Sequence, residues 1–436
     1  MQDFRPIDLL NATHERGSIV LVRADLNVPL DEAGNLRDAT RLARLLPTLE
    51  TLSLAGMRVG ILSHFGRPRG MPDKALSLAP VATALGQLMN TPIAFCDDCI
   101  GPTAASALTD LPEGGICVLE NTRFHAGEET DDAEFAAALA APAHAYVNDA
   151  FSAAHRAHAS THALAKTLPA YCGHAIQAEL TALNSALGNP ARPLVAVVGG
   201  AKISTKLELI GNLSRKVDTL IIGGGMANTF LAAQGVEIGT SLCETGMLDT
   251  ARAIVAEAAA NGCRILLPCD GVVAPEFAAG QTGTCVDIAH VADNQMILDA
   301  GPQAVKDICN AFDEAQTLIW NGPLGAFEIE PFDAATTAAA RHAAARTKAG
   351  QLKSVAGGGD TVAALNHAGV AEDFSYVSTA GGAFLEWLEG KQLPGVEALS
   401  ANWKTVNTRR QANEQASIGN HRAGHGGGRQ RHSRRR

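Results

Sequence analysis

No apolar run in this 436-residue chain reaches the roughly 18–20 residues that a membrane-spanning helix needs, so no membrane partner is expected. Several catalytic signatures are missing too. There is no GxxxxGK[ST], which excludes a P-loop, and there is no GxSxG, HExxH, HRD or DFG. GxGxxG and an acid about 20 residues after it are also lacking, so a dinucleotide-dependent oxidoreductase on a similar α/β architecture is the weaker alternative. The nine cysteines are scattered and odd in number. Cys96 and Cys99 form an isolated CDDC with no second CxxC and no histidine pair at zinc spacing, which argues against a metal or redox site. The opening residues, MQDFRPIDLLNATHERG, are charged throughout and carry no signal-peptide pattern. Together with the cysteine usage, they lead to the expectation of a reduced, cytoplasmic setting.

What is present is a composition of 46% hydrophobic residues with 43 glycines, which suits an α/β protein with many glycine turns. The length exceeds one ordinary core, so two domains are expected. Net charge is −10 but uneven. Residues 409–436 hold eight arginines and one acid, which leaves −17 for the remainder. An acidic body makes nucleic acid an improbable main partner, and an anion site must then be a local basic cluster. The tail itself reads as a disordered basic extension. A nucleic-acid adaptor role for it is the less favoured reading.

Apolar β-like runs alternate with helical patterns. They fall at 18–22, 58–62, 93–95, 116–119 and 145–148, and again at 194–198, 219–222, 264–267, 317–320, 351–355 and 376–378. Such alternation predicts two doubly wound, parallel-sheet (Rossmann-like) domains with a cleft between them. The segment 177–188, QAELTALNSALG, has helix formers, periodic leucines and a Gly-then-Pro stop, and is expected to be a linker helix. The domains are therefore expected at 1–176, with 393–408 returning to it, and at 189–392. The glycines of 378–383 are a second candidate hinge.

In open α/β sheets ligands bind at the carboxyl ends of strands, so the residues after each run carry the functional reading. In the first half they are cationic: VLVRADLNVP (20–29), LSHFGRPRG (62–70), VLENTRFH (118–125) and NDAFSAAHRAHA (148–159), with Arg41 in DATRLAR. Singly each arginine reads as a surface ion pair. Together they form a cluster suited to carboxylate and phosphate. In the second half the strand-following residues are glycine-rich. LVAVVGGAKISTK (194–206) runs from an apolar strand into two glycines and then Lys202 and Lys206, while GGGDT (357–361) joins Asp360, able to hold a metal, to Thr361 at a helix start. One half is built for a small polyanion and the other for a nucleotide. No nucleophile or base stands out, which fits transfer of a phosphoryl group to an acceptor that is already an anion.

Ten segments in order carry a resemblance to the phosphoglycerate kinases: RADLNVPL, DATRLARLLPTL, SHFGRP, LENTRFHAGEE, YVNDAFSAAHRAHAS, VVGGAKISTKL, IIGGGMANTF, IWNGPLGAFE, VAGGGDTVAAL and STAGGAFLEWLEG. It spans about residues 7–404. The resemblance implies reversible transfer of the acyl phosphate of 1,3-bisphosphoglycerate to ADP, giving 3-phosphoglycerate and ATP, by a hinge-bending monomer that uses magnesium. It further implies that Asp25, Leu26 and Asn27 touch the glycerate ligand, and that Arg41, His64, Phe65, Gly66, Arg67, Arg123 and Arg156 hold its carboxylate and phosphate. On the nucleotide side it implies Lys206, Gly358, Gly359, Asp360 and Thr361 at the phosphates, Asp360 on Mg2+ and Glu328 at the sugar. Arg41, Lys202 and Lys206 are the catalytic candidates, with Arg41 and Lys202 the best placed to stabilise the transferring group. The departures from the family pattern (Phe65, Thr122, Ser152-Ala153 and Gly271) remove no charged or metal-binding group, so activity is expected to survive them.

Overall fold

The computed structural model of the chain describes residues 4–31 and 34–401. The basic tail, and residues 402–408 of the segment expected to return to the first domain, lie outside the described residues. The rest divides into two compact units. One comprises the chain up to Ala150, Arg156–Ala175 and the segment from Pro394; the other comprises Phe151–His155 and Ile176–Leu393.

The first unit is built on six parallel strands: β1 (Ile19–Arg23), β2 (Arg58–Leu62), β3 (Ala94–Cys96), β4 (Ile116–Leu119), β5 (Ala145–Asn148) and β6 (Ala170–Cys172), in the order β3-β4-β2-β1-β5-β6. Strands buried on both faces need continuous apolar runs rather than alternation, and β1, IVLVR, is buried at every position. Its register with both neighbours, Val20↔Val59 and Val20↔Ala145, brings valine and isoleucine into one core with Leu42, Leu49 and Leu85 from the covering helices. The chain winds to one side of β1 through β2 and to the other through β5, so the switch point lies between β1 and β5.

The second unit has a matching sheet. Its strands are β7 (Leu194–Val198), β8 (Thr219–Ile222), β9 (Arg264–Leu266), β13 (Thr317–Asn321), β14 (Lys353–Gly357) and β15 (Tyr376–Ser378), in the order β15-β14-β13-β7-β8-β9. The switch point is between β7 and β13. Trp320 is buried here against Phe312 and Phe374, with ring centroids 5.7 and 6.3 Å apart, and the alanine-rich helix Ala334–Lys348 lays its small residues against the sheet.

Three features depart from the sequence reading. Between β9 and β13 the chain adds a three-stranded antiparallel sheet, β11-β10-β12, from β10 (Asp270–Ala274), β11 (Thr284–Asp287) and β12 (Met296–Ala300). These strands are only partly buried and each carries an acid among its apolar residues, so they present no long continuous apolar run. The three-residue edge strand β6 is too short to show a period. The segment expected as a linker helix belongs to a helix that begins earlier, His174–Leu183, and passes into a π-helical turn, Asn184–Gly188. The first turn is tied down by His174 N–H donating to Thr48 Oγ1 at 2.9 Å and Ala175 N–H to Asp149 Oδ1 at 2.8 Å.

Candidate active site

In the first unit the expected glycerate ligands follow the carboxyl ends of β1, β2, β4 and, for Arg156, β5, with Arg41 on the helix Thr40–Leu54. The side chain that ties these loops together is Ser63, fully buried. Its Oγ accepts from Leu26 N–H at 2.9 Å and donates to the Ala24 carbonyl at 2.8 Å, while its own carbonyl accepts from Thr122 N–H. Asn121 does the same one strand over. Its amide donates to the Phe65 and Leu76 carbonyls, and its oxygen accepts from the amides of Phe65 and Arg123. Asn27 Oδ1 accepts from Gly66 N–H at 3.0 Å, and Gly66, at φ +60°, offers its carbonyl to Arg123 Nη1 at 2.8 Å. Leu26 is buried in the core, so the chain offers ligands only its backbone there.

On this lattice stand the cations. Arg41 lies in the first turn of the helix Thr40–Leu54. Its Nη1 is 3.1 Å from Asp25 Oδ2 and donates to the Asn27 carbonyl at 2.8 Å. Arg123 is buried, with Nε 3.1 Å from Glu129; burial lowers its pKa first of all, but a guanidinium keeps its proton. Arg67 and Arg156 are exposed. His64 is held by Arg23, a fully buried arginine that donates from Nη2 to His64 Nδ1 at 3.0 Å and from Nε to Ser160 Oγ at 2.7 Å; Ser160 in turn donates to the buried Glu128 at 2.6 Å. An arginine can only donate, so His64 Nδ1 must accept and the ring proton sits on Nε2. Burial, and then the charges of Arg23 and Arg123, push His64 down to about 2, so the imidazole is a neutral donor at working pH. Arg23 is one of the cations that the strand-following loops offer in the sequence, but it is spent on His64 and Ser160 and is not among the expected ligands; Glu128 is signalled only by the GEE motif.

In the second unit the strand ends approach one another closely. Gly199 N–H continues the β7–β13 ladder to the Asn321 carbonyl at 2.8 Å, and a side chain on Gly199 would lie 1.8 Å from the Pro323 carbonyl. Lys206 turns back to this point, its Nζ donating to the Gly199 carbonyl and to Asn321 Oδ1, both at 2.7 Å. Asn321 donates onward to the Gly357 carbonyl at 2.7 Å. Sequence reasoning passed over this asparagine, although it stands directly at the end of β13. Burial pushes Lys206 down to about 8, opposed by the charge of Asp360. Gly358, at φ +100°, leads into the helix Gly359–His367. Its Asp360 is exposed in the first turn, and the Oγ1 of its buried Thr361 accepts from Gly322 N–H at 2.7 Å. Lys202 is exposed and precedes the turn Ile203–Thr205; it stands apart from the Lys206 clasp and near Glu244.

A cavity of about 520 Å³ opens beside this clasp. Its walls include Gly200, Gly223–Gly225, Leu242, Pro323 and Met296, and both Glu328 and Asp360 reach it. Its size and apolar walls suit a flat heteroaromatic ring, with carboxylates at the rim. Asp299 also lines it. Burial pushes this carboxyl up to about 8; Oδ2 accepts from Ala335 N–H at 2.8 Å, while Oδ1 has no hydrogen-bond partner among the described residues.

Comparison with known proteins shows the family. The phosphoglycerate kinase family model matches residues 10–391. A phosphoglycerate kinase of Methylorubrum extorquens (strain PA1) is 59% identical over 401 residues, covering 92% of this chain and all of that protein; one of Rhizobium meliloti (strain 1021) is 59% identical over 396 residues, 91% of this chain and 98% of the relative. Among solved structures, phosphoglycerate kinase from Coxiella burnetii superposes with a TM-score of 0.84 at 42% identity, over 91% of this chain and 99% of that one. The Pyrococcus horikoshii OT3 enzyme does so at 0.76 and 26%, over 92% and 99%. These matches favour the kinase reading over the oxidoreductase.

Proposed function

The chain belongs to the phosphoglycerate kinase family, and from that premise we propose how its groups divide the transfer of the acyl phosphate of 1,3-bisphosphoglycerate to ADP. The observation that carries the proposal is the character of the first site. Arginines and a histidine fixed as a neutral donor converge there on backbone loops locked by Ser63 and Asn121. Such a site binds and orients an anion and offers no base, which is what an anionic acceptor needs.

Arg123, Arg156, Arg67 and His64 Nε2–H hold the carboxylate and phosphate of the three-carbon ligand. Asp25 and Asn27 set the position of Arg41, which meets charge on the transferring group. The nucleotide base enters the cavity beside Leu242 and Pro323, with Glu328 at the sugar. Lys206 and the start of the helix Gly359–His367 meet its phosphates. The family's magnesium fits Asp360, an exposed carboxylate at a helix start, on the cavity wall and near enough to Lys206 to influence its proton. When bound, Mg2+ neutralises phosphate oxygens. Lys202 is reserved for the transfer state, reached when the two ligands are brought in line with water excluded. We further propose that the enzyme works as a monomer in the cytoplasm. Among the described residues, no helix is long and apolar enough to cross a membrane.

The test is a coupled assay. The purified chain should form ATP from ADP and 1,3-bisphosphoglycerate in the presence of Mg2+. Nicotinamide turnover without ATP formation would overturn the assignment in favour of an oxidoreductase.

A further inference from the structure

The CDDC segment has a partner that its own sequence conceals. Cys96 ends β3, and Asp98 and Cys99 follow it. His125 follows the turn Thr122–Phe124 after β4. β3 and β4 are parallel neighbours, with Cys96 opposite Leu119, so the two loops leave the sheet side by side. Cys99 Sγ, an Asp98 carboxylate oxygen and a His125 ring nitrogen all lie within 4.8 Å of one another. His125 Nε2 is 2.9 Å from Asp98 Oδ1, and the ring stacks on Phe135 at 5.0 Å, which limits its rotation. Asp98 is fixed from behind, Oδ1 accepting from Cys99 N–H at 2.6 Å. Cys99 is buried beneath, while the Asp98 and His125 side chains are 43% and 30% exposed, so the group is open on one side.

We propose that Asp98, Cys99 and His125 form a binding site for a divalent transition-metal ion of the zinc class, with its fourth position open to solvent. Mixed sulfur, nitrogen and oxygen donors select a borderline ion and reject Mg2+ and Ca2+, which take oxygen alone. Tetrahedral zinc places its donor atoms about 3.3–3.8 Å apart, so the trio needs only shifts of about an ångström to close. Binding forms bonds to sulfur, nitrogen and oxygen, replaces the His125–Asp98 hydrogen bond and releases the thiol proton to solvent. The ion would clamp the loops after β3 and β4, two residues from Arg123. The site thus shares a turn with the glycerate-binding cluster without containing any of its residues.

Cobalt titration of the full chain tests this. The expected result is one equivalent of Co2+ giving a thiolate-to-cobalt charge-transfer band that Zn2+ abolishes and millimolar Mg2+ leaves in place. Cys99→Ser and His125→Gln, each checked for native circular dichroism, should lose the band. Asp98→Asn should weaken binding tenfold or more, and a Cys269→Ser/Cys285→Ser double variant should keep the band. No charge-transfer band, a band that survives Cys99→Ser or His125→Gln, or one lost from the Cys269/Cys285 variant would overturn the proposal.

Discussion

Lys206 combines a structural role in the fold with its proposed role at the nucleotide phosphates. Two of its three donors are spent on Gly199 and Asn321, so one is left for a phosphate. Because burial sets its pKa near 8, the cation is complete below that pH and lost above it. Nucleotide affinity is therefore expected to fall as pH rises through about 8. Lys206→Met should raise the nucleotide KM roughly tenfold or more, the worth of one charged hydrogen bond, and flatten that pH limb. A KM profile unchanged by the substitution would refute the role. Arg41 is different: it is partly exposed and poised by Asp25, so its loss is expected in the chemical step. Arg41→Ala should lower kcat by roughly 10²–10³ with little change in nucleotide KM, and near-normal turnover would remove it from catalysis. Asp299 carries the opposite lesson from Lys206. Its folded pKa is raised from an ordinary 3.8 to about 8, so the native state holds the proton that the unfolded chain releases. Stability from this group is full below pH 4 and falls by up to about 1.4 kcal/mol per pH unit as pH rises towards 8. Asp299→Asn should therefore raise the melting temperature most at pH 8 and least at pH 5; an equal effect at both would show the carboxyl to be ionised throughout.

The elements explain why the glycine-rich loop after β7 differs from a P-loop. From the sequence, its glycines read as room for a phosphate. In the fold, Gly199 is where β7 and β13 meet, its N–H given to Asn321 and its missing side chain occupied by the Pro323 carbonyl. Gly199→Ala would wedge these strand ends apart and unseat Asn321, and with it Lys206. It is expected to destabilise the second unit by on the order of 3 kcal/mol or more, seen as a lowered melting temperature with the first unit's transition unmoved. A melting curve superimposable on the wild type would contradict the close approach. What could be read from the chain follows the same physics. Strands buried on both faces announce themselves as apolar runs, so the parallel strands other than the three-residue β6, and the residues after them, were legible. The β10–β12 sheet was not, because half-exposed strands such as TCVD carry no such run. Asn321, Ser63 and the Asp98–Cys99–His125 trio were hidden for another reason. Each acts through a partner brought near by strand order, and sequence spacing does not encode that order.

At the scale of the whole molecule, the proposed reading gives each unit one ligand class, at the carboxyl ends of its own parallel sheet. The first supplies cations for a small polyanion. The second supplies a lysine, a helix start and an apolar cavity for a nucleotide. In-line transfer needs reacting atoms about 3–3.5 Å apart. On the proposed reading the chain is expected to reach a state in which the two ligands meet, and exposed Lys202 is expected to act only there. The connection expected to absorb the motion is the helix His174–Leu183, pinned at its start by Thr48 and Asp149 and followed by the π-helical turn Asn184–Gly188. Small-angle scattering should show a radius of gyration that falls only when 3-phosphoglycerate and a nonhydrolysable nucleotide with Mg2+ are both present. The same compaction with either ligand alone, or none with both, would separate binding from closure and rule out this hinge as the step that assembles the site.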